Sequence, residues 1–443
     1  MKHTRLISTL LFAVLLSSAA AGQIPGSSTE GSPVIVRDSL GISGLRATCL
    51  LLGCKVNGQI DGSLGAVFLI SSPSGIPLDV FLRTLLGQIG IVDAEPDLLL
   101  HLTQSQTLPT PSGLYDTTPI NYYGTTVWEG YANQPAVSII NLPALQSQQN
   151  PSPTGSGVVG VIDTGVDPSH PALQGSLLQG YDFTRNQTPG SELADVNQST
   201  MAVVNGAAPA QVNQSTMAVV NQQGSSTFSQ SQYADFGHGT MVAGVIHLVA
   251  PGATIMPLKS FGADGTGSLS NVLRAIYYAT QHGAAILNMS FSFSSYSQEL
   301  ASAVNYATRK GVVCIASVGN DGQQVMVYPA GLNNVIGVAS TSNDDTLSSF
   351  SNYGQPPVWV AAPGEGIITT YPYGTYAAGW GTSFSTPFVS GTVALLRGIN
   401  ANINQSSAAR AISHAVYISP ALGHGRLDVV QAATAWCQAS QQC

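Results

Sequence analysis

Val158-Val-Gly-Val-Ile-Asp163-Thr-Gly165 decides the fold, because a run of apolar residues ends there in an acidic residue and a glycine. A short run that is apolar at every position is typical of a strand buried on both faces of a parallel sheet. Similar runs lie at residues 255–258, 285–289, 312–317 and 335–338. Helical stretches lie between them, notably at residues 269–282 and 297–310. This alternation predicts an α/β fold of three layers, with helices on both faces of a mainly parallel sheet.

Two further glycine-flanked segments carry a histidine and a serine. They are Gly237-His238-Gly-Thr-Met-Val-Ala-Gly244 and Gly381-Thr-Ser383-Phe-Ser-Thr-Pro387. A serine hydroxyl is a poor nucleophile at neutral pH, so it needs a histidine to take its proton. That histidine needs a carboxylate, here Asp163, to fix its tautomer and stabilise its positive charge. The three segments therefore predict a hydrolytic triad of Asp163, His238 and Ser383, with the histidine as general base and then general acid.

The Asp, His, Ser order along the chain resembles that of the subtilisin-like serine peptidases, and the resemblance runs over residues 128–431. It includes Ala316-Ser-Val-Gly-Asn320-Asp-Gly322, which looks like the family's oxyanion-hole segment, and Asn288-Met-Ser290, which resembles a substrate-lining strand end. The resemblance implies a subtilisin-like α/β/α sandwich. It also implies that the Asn320 side chain and the Ser383 amide hold the oxyanion. Losing such a side-chain donor typically costs roughly a hundred- to a thousandfold in kcat.

The resemblance further implies a cleft in which a peptide substrate adds as an extra strand to an exposed edge. The residues predicted to line it are Gly265, Gly267, Ser290, Ser292 and Val327. Two of them depart from the family. When Tyr328-Pro329 is aligned, Val327 stands where a floor glycine is common, and Ser292 replaces a wall glycine. For Gly265 and Gly267, a plain turn stays open as the alternative.

No cofactor is predicted, because triad chemistry needs no metal. Many relatives bind calcium tightly through an aspartate soon after the catalytic one and through a loop within the histidine helix. Here Ala172 takes the place of that aspartate, and residues 238–251 contain no Asn-rich bulge. We expect the usual strong calcium site to be absent. Sites built from carbonyl oxygens stay open, because they leave little trace in sequence.

Residues 1–22 have the pattern of a signal peptide. Lys2 and Arg5 precede a short apolar run at residues 6–16 and a stretch of small residues at 17–22. The run is too short for a membrane anchor, which is the alternative. We therefore expect a secreted or extracytoplasmic protein. The formal net charge of −8 over 443 residues gives no reason to expect nucleic acid or an anionic membrane as a partner.

Residues 32–102 predict a separate small domain before the sandwich. Strands at 34–36, 54–60, 65–70 and 89–102 alternate with helices at 42–52 and 77–86. This β-α-β-β-α-β order is the ferredoxin-like split pattern. It resembles the family's inhibitory propeptide, and an unrelated α+β domain is the alternative. Residues 103–122 are rich in Thr, Pro, Ser and Gly, which predicts an exposed linker with the maturation cut near its start.

The peptidase domain is assigned to residues 123–435, with a leading helix at 136–145 and a tail at 436–443. Asp163 and His238 are 75 positions apart, which is long for this family, and we assign a surface insertion to about 186–232. Within it, the sequence of residues 196–205 recurs unchanged at 212–221. Two copies are too few for a solenoid. A contact with substrate or partner and a tolerated loop duplication both stay open.

The chain has five cysteines, and export permits disulfides. Cys49 with Cys54 and Cys437 with Cys443 are plausible close pairs, but sequence alone establishes neither. Cys314 lies in the apolar run Gly311-Val-Val-Cys-Ile-Ala316, which predicts a buried free thiol.

These patterns favour a secreted serine endopeptidase that acts on polypeptides and is made as a precursor inhibited by its own N-terminal domain. An α/β-hydrolase esterase would need the order Ser, Asp, His and a Gly-x-Ser-x-Gly elbow, which the sequence around Ser383 lacks. A catalytically inactive peptide-binding protein stays as the alternative, although the four polar residues of the site are intact. Exopeptidase activity also stays open, because a loop that closes one end of a cleft is invisible in sequence.

Val327 and Ser292 make the predicted first-specificity pocket shallow, because each adds a side chain where the family often has glycine. We expect cleavage after small or medium apolar residues in preference to large aromatic ones. A panel of peptides that differ only in that residue measures the preference as kcat/KM. Equal cleavage after alanine and phenylalanine would contradict it.

Overall fold

The computed structural model describes residues 31–102, 109–148, 153–196, 217–220 and 233–441, with the backbone alone for 217–220. Its centre is a seven-stranded sheet in which every pair of neighbouring strands is parallel. In order across the sheet, the strands are Val360–Pro363, Ile336–Thr341, Val313–Ser317, Ala284–Met289, Val158–Asp163, Thr254–Lys259 and Tyr181–Asp182. Every apolar run predicted as a buried strand belongs to this sheet, so the predicted parallel sheet is confirmed.

Helices cover both faces of the sheet. They are His238–Val249 and Thr382–Ile399 on one face, and Leu269–Gln281 and Gln298–Arg309 on the other. Successive strand residues point to opposite faces. Val161 accordingly packs in the core of the first face and Ile162 in the core of the second. The three-layer sandwich is confirmed, and it brings the carboxyl ends of the parallel strands together at one edge, where ligands bind in such folds.

An N-terminal domain precedes the sandwich. Its strands are Pro33–Asp38, Lys55–Gln59, Val67–Ser71 and Ile91–Pro96, and its helices are Gly41–Leu52 and Leu78–Leu86. The first strand pairs antiparallel with the third and the fourth, and the second pairs antiparallel with the third. Leu45, Phe68 and Phe81 form part of a core of its own. The elements follow the predicted chain order, except that the strand predicted at 89–102 is two strands. Ile91–Pro96 belongs to this sheet, whereas Leu99–His101 pairs with Thr266–Ser268 of the sandwich domain. The role of the domain as a propeptide stays a prediction.

Short elements complete the described fold. The remaining strands are Leu99–His101, Pro119–Tyr122, Thr125–Trp128, Met217–Val220, Thr266–Ser268, Ile367–Tyr371 and Thr375–Gly379. The remaining helices are Glu129–Ala132, Pro135–Ile139, Leu142–Gln148, Gln405–Ile412 and Val429–Ser440. Met217–Val220 belongs to the second copy of the repeat, and it pairs antiparallel with Thr375–Gly379.

Two predictions about the start of the peptidase domain are wrong. The leading helix is two short helices, because Asn141 between them has a φ of 60°, a left-handed conformation that asparagine adopts more readily than most residues. Its side chain donates to Asp428 at 2.6 Å. The linker is also not exposed throughout, since Leu114 is fully buried and Pro119–Tyr122 pairs with the next strand. Turn-rich composition does not distinguish a packed irregular segment from a solvated one.

The insertion starts later than predicted, and the tail is part of a helix. Residues 186–189 are exposed, but Glu192 is fully buried and the Asp195 side chain is nearly so, which places residues 190–196 in the packed body of the domain. Trp436 is buried within Val429–Ser440, so the boundary predicted at 435 is wrong. Apart from 217–220, the rest of the insertion lies outside the described residues, as does the predicted signal peptide.

The cysteines agree with the predictions where they are described. Cys49 and Cys54 form a disulfide. Cys437 is disulfide-bonded, and its predicted partner Cys443 lies outside the described residues. Cys314 is a buried free thiol, and burial raises its pKa to about 12. Within the described ranges, no helix is long and apolar enough to cross a membrane.

Candidate active site

His238 and Asp163 meet although 75 positions separate them. Asp163 is the last residue of the central strand Val158–Asp163, and His238 is the first residue of its helix. His238 Nδ1 hydrogen-bonds to Asp163 Oδ1 at 2.8 Å, and both side chains are buried. The same oxygen accepts the backbone N–H of Thr164 at 2.7 Å. An imidazole whose Nδ1–H is held by a carboxylate presents Nε2 as its basic nitrogen.

The surroundings of His238 favour its protonated form. Burial acts to lower the pKa of His238, because it disfavours the charged ring. The charge and hydrogen bond of Asp163 oppose burial, and the charges of Asp235 and Glu192 add to them. The pKa of His238 is therefore raised above its ordinary value. His238 therefore loses its proton, and becomes able to act as a base, at a higher pH than a free histidine does.

Ser383 lies in the first turn of the helix Thr382–Ile399 and is 3% exposed. Its Oγ donates to the Ser290 carbonyl at 3.0 Å, and the Ser290 hydroxyl donates to the Ser383 carbonyl at 2.8 Å. These bonds tie the start of the serine helix to the predicted substrate-lining strand end. The ring of His238 lies beside Phe384, with the ring centroids 5.5 Å apart. The histidine thus lies next to the turn that carries the serine, whose hydroxyl points to Ser290 in this state.

Asn320 lies opposite the start of the serine helix. Its Oδ1 accepts both the backbone N–H and the hydroxyl of Thr382, each at 2.9 Å. These two bonds fix the amide plane and direct its NH2 end away from Thr382. A Cβ at Gly381 would lie 3.2 Å from Asn320 Nδ2, so a side chain there would crowd the amide. The Asn320 amide and the backbone N–H groups of the helix start are donors of the kind that an oxyanion hole uses.

The predicted substrate edge is occupied by the chain's own N-terminal segment. Leu99–His101 pairs antiparallel with Thr266–Ser268, which places Leu100 opposite Gly267. The Leu102 N–H then donates to the Gly265 carbonyl at 3.0 Å. Gly267 therefore lies in a paired strand and not in a plain turn. Gly265 does close a turn, through its N–H to Gly262, with a φ of 75°.

The two residues predicted to shape the pocket are both buried. Ser292 lies beside the oxyanion segment, since a Cβ at Gly319 would stand 2.9 Å from its Oγ. Val327 precedes Tyr328, whose backbone exchanges two hydrogen bonds with Phe293, at 2.8 and 2.9 Å. Ser292 and Val327 thus directly precede the two residues, Phe293 and Tyr328, that pair with each other. The effect on substrate preference stays a prediction.

Sequence reasoning missed a carboxylate beside the triad. Glu192 Oε2 accepts the Gly237 N–H at 2.7 Å and the Thr164 hydroxyl at 3.1 Å, and Oε1 accepts the Thr240 hydroxyl. Burial raises the pKa of Glu192 to about 8, although the bonds from Thr240 and Gly237 and the charge of Lys259 lower it. No local pattern around residue 192 marks a buried glutamate.

A buried lysine completes this network. Lys259 has no exposed surface and donates to the Thr164 carbonyl at 2.8 Å and to Asp195 at 2.6 Å. It is the last residue of the strand Thr254–Lys259, next to Asp163 across the sheet. A charged residue that directly follows an apolar run was the signal available in the sequence.

The predicted lack of the strong calcium site stays a prediction. Ala172 is buried, and the helix His238–Val249 is continuous.

Residues 155–431 match the Subtilase family, Peptidase_S8. The chain belongs to the subtilase family. It is 36% identical over 240 residues to the thermophilic serine proteinase of Bacillus sp. (strain AK1), covering 54% of this chain and 51% of that protein. It is 35% identical over 253 residues to thermitase of Thermoactinomyces vulgaris, covering 55% of this chain and 75% of that protein. The chain thus spans about half of the first relative and three quarters of the second.

Solved structures agree on the fold. The keratinolytic enzyme fervidolysin from Fervidobacterium pennivorans, described as related to subtilisin, has a TM-score of 0.68 at 23% identity, covering 93% of this chain and 62% of that one. A lanthipeptide protease has a TM-score of 0.53 at 22% identity, covering 68% of this chain and 94% of that one. The predicted family and sandwich fold are confirmed.

Proposed function

We propose that this chain is a secreted serine endopeptidase that acts through Asp163, His238 and Ser383 and is made as a self-inhibited precursor. The hydrogen bond of 2.8 Å between His238 Nδ1 and Asp163 Oδ1 carries this proposal, because it prepares the imidazole as a base beside a helix-start serine. Membership of the subtilase family supports it.

Acylation and deacylation use the same groups. His238 takes the Ser383 hydroxyl proton while Oγ bonds to the peptide carbonyl carbon, and the oxyanion that forms is held by Asn320 and the Ser383 N–H. The histidine then gives its proton to the leaving amine, the C–N bond breaks, and the acyl group stays on the serine. A water that loses its proton to His238 next attacks the acyl carbon. The bond from that carbon to Ser383 Oγ then breaks, His238 returns the proton to Oγ, and the acid leaves. Asp163 stabilises the imidazolium in both steps.

The N-terminal domain is proposed as the inhibitor because its last strand occupies the substrate edge. Leu99–His101 pairs with Thr266–Ser268 main chain to main chain, as a bound peptide strand would. Leu100 and Leu102 are both buried, so the docked segment also fills side-chain space. The chain continues from Leu102 into the predicted linker. We therefore expect the maturation cut near the start of that linker.

Two carboxylates fasten the domain to the sandwich. Glu95 accepts the Ser297 hydroxyl at 2.5 Å and the following backbone N–H at 3.1 Å. Asp97 accepts the Ser270 hydroxyl at 2.7 Å and its backbone N–H at 2.8 Å. Both serines lie at the start of the two helices that cover this face, where backbone N–H groups need acceptors. The N-terminal domain thus supplies acceptors to two helix starts of the proposed enzyme.

A catalytically inactive peptide-binding protein is the second candidate. One observation favours it: the Ser383 hydroxyl donates to Ser290 and not to His238. Hydrogen bonds between nucleophile and base are often unformed without substrate, so this geometry does not exclude catalysis. The enzyme is therefore the better supported function.

Self-processing tests the proposed function. The precursor is expressed as wild type, as Ser383→Ala and as Ser385→Ala, and the products are compared by mass. Ser385 is the matched control, because it is a buried serine of the same helix turn. We expect wild type and Ser385→Ala to lose the N-terminal domain, with a new N-terminus near the start of the linker that follows Leu102. Ser383→Ala should retain the domain, and its loss from that variant, or its retention in wild type, would contradict the proposal.

Inhibition should weaken as pH rises through neutrality. Burial at the interface raises the pKa of Glu95 from 4.5 to about 7, so the complex holds a proton that the released domain gives up. Binding is therefore strongest below the ordinary glutamate pKa and weakens as pH rises through about 7. Freshly processed precursor should gain activity severalfold faster at pH 8 than at pH 5.5, with each rate normalised to fully mature enzyme at the same pH.

Glu95→Gln tests the origin of this pH dependence. The variant cannot ionise, so its release rate should vary less with pH. Asp79→Asn is the matched control, because Asp79 is exposed and pairs with Arg83 of its own helix. An unchanged pH dependence in Glu95→Gln would rule out Glu95 as the titrating group.

A further inference from the structure

Glu192 is fully buried beside the triad, yet the proposed chemistry gives it no step. A buried carboxylate is costly unless hydrogen bonds and opposite charge replace its lost hydration. Its partners come from both sides of the site, since Thr164 follows Asp163 and Gly237 precedes His238. We propose that Glu192 is a positioning residue that fixes the His238 turn against the Asp163 strand end. This role rests on the serine-peptidase function proposed above.

Two hydroxyl hydrogens are directed at Glu192 by the other bonds that those hydroxyls make. Thr164 Oγ accepts the Gly239 N–H at 2.9 Å, so its own hydrogen is available for Glu192 Oε2 at 3.1 Å. Thr240 Oγ accepts the Asp167 N–H at 2.8 Å, so its hydrogen is available for Oε1. Each threonine hydroxyl thus accepts a hydrogen bond from a backbone N–H and donates one to the carboxylate. Glutamate in its ionised form, which only accepts hydrogen bonds, suits this arrangement.

A third donor acts directly on the histidine turn. The Gly237 N–H donates to Glu192 at 2.7 Å, and Gly237 has a φ of 91° that a residue with a side chain rarely adopts. Glu192 therefore accepts a hydrogen bond from a residue on each side of His238 in the chain. The donors are the Gly237 N–H before it and the Thr240 hydroxyl after it. A shift of this turn would break both bonds. The carboxylate thus limits movement of the imidazole relative to Asp163.

Glu192 lies near both positively and negatively charged groups. The titratable groups that interact with it are Lys259, Asp167, Tyr371, Tyr373 and His238. Lys259 also binds Asp195 of the same short helix, Glu192–Asp195, which anchors the segment that carries the carboxylate. Burial raises the pKa of Glu192 to about 8, so its protonated form gains weight as pH falls below that value. A protonated carboxyl presents an O–H toward other donors, so at least one of the three bonds is then weakened.

Glu192→Gln tests the proposal, because it keeps the shape but replaces one acceptor oxygen with a donor NH2. At pH 9 we expect kcat on a peptide substrate to fall about tenfold or more, the effect of losing one charge-assisted hydrogen bond. KM should stay within about twofold, because Glu192 has no exposed surface to contact substrate. At pH 6.5 the difference from wild type should narrow, because protonated glutamate also presents a donor.

A second pair of variants covers the case in which Glu192→Gln does not fold. Thr240→Val removes one donor and should lower kcat at pH 9, whereas Thr240→Ser keeps the hydroxyl and should restore it. Glu129→Gln is the matched control, because that side chain bonds only to Asn133 on an exposed surface among the described contacts. Thermal unfolding and the rate of self-processing are measured for every variant.

The proposal is overturned if Glu192→Gln folds and has wild-type kcat at pH 9. It is also overturned if Thr240→Val and Thr240→Ser have the same kcat at pH 9. Either result would leave Glu192 with a role in the fold alone. Failure of the serine-peptidase function itself is distinct, because wild type would then show no hydrolysis at either pH.

Discussion

A hydrogen bond between an imidazole and a buried carboxylate, from His238 Nδ1 to Asp163 Oδ1 at 2.8 Å, is the interaction that the rest of the structure supports. Asp163 is held by a strand with parallel partners on both sides. His238 is held by the first turn of a fully buried helix. A misplacement of about 1 Å costs about a hundredfold in rate in well-ordered sites. Rigidity at this strand end is therefore a requirement of the proposed chemistry as well as of the fold.

The proposed inhibition of one domain by the other has a physical basis at the same edge of the sheet. Parallel strands end together, so the proposed triad, the proposed oxyanion donors and the strand proposed to bind peptide all lie at the edge where ligands bind in such folds. The N-terminal domain reaches this edge with the strand Leu99–His101 and is tied to the helices behind it by Glu95 and Asp97. Arg37 adds a bond to the buried Glu299 at 2.8 Å. In the proposed function, inhibition and substrate binding thus depend on one set of backbone groups.

The sequence predicted what is encoded locally. Apolar runs predicted the central strands, and the glycine-flanked motifs predicted the contact between Asp163 and His238 that the structure contains. The break at Asn141 and the burial of Leu114 were missed, because both depend on packing against distant parts of the chain. The Glu192 network was missed for the same reason: its partner Gly237 is 45 positions away, and Lys259 is 95 positions from Thr164. Whether a charged residue is buried is decided by partners that composition does not reveal.

Fluorophosphonate labelling of the mature enzyme tests most directly whether Asp163, His238 and Ser383 act together. The rate of labelling is measured against pH, and the labelled residue is located by peptide mapping. The expected result is a single label on Ser383. Its rate should rise with pH as one group loses a proton, with a midpoint above the ordinary histidine pKa of about 6.5, because Asp163 raises the pKa of His238. A label on another residue, or a rate that does not change with pH, would contradict the proposed site.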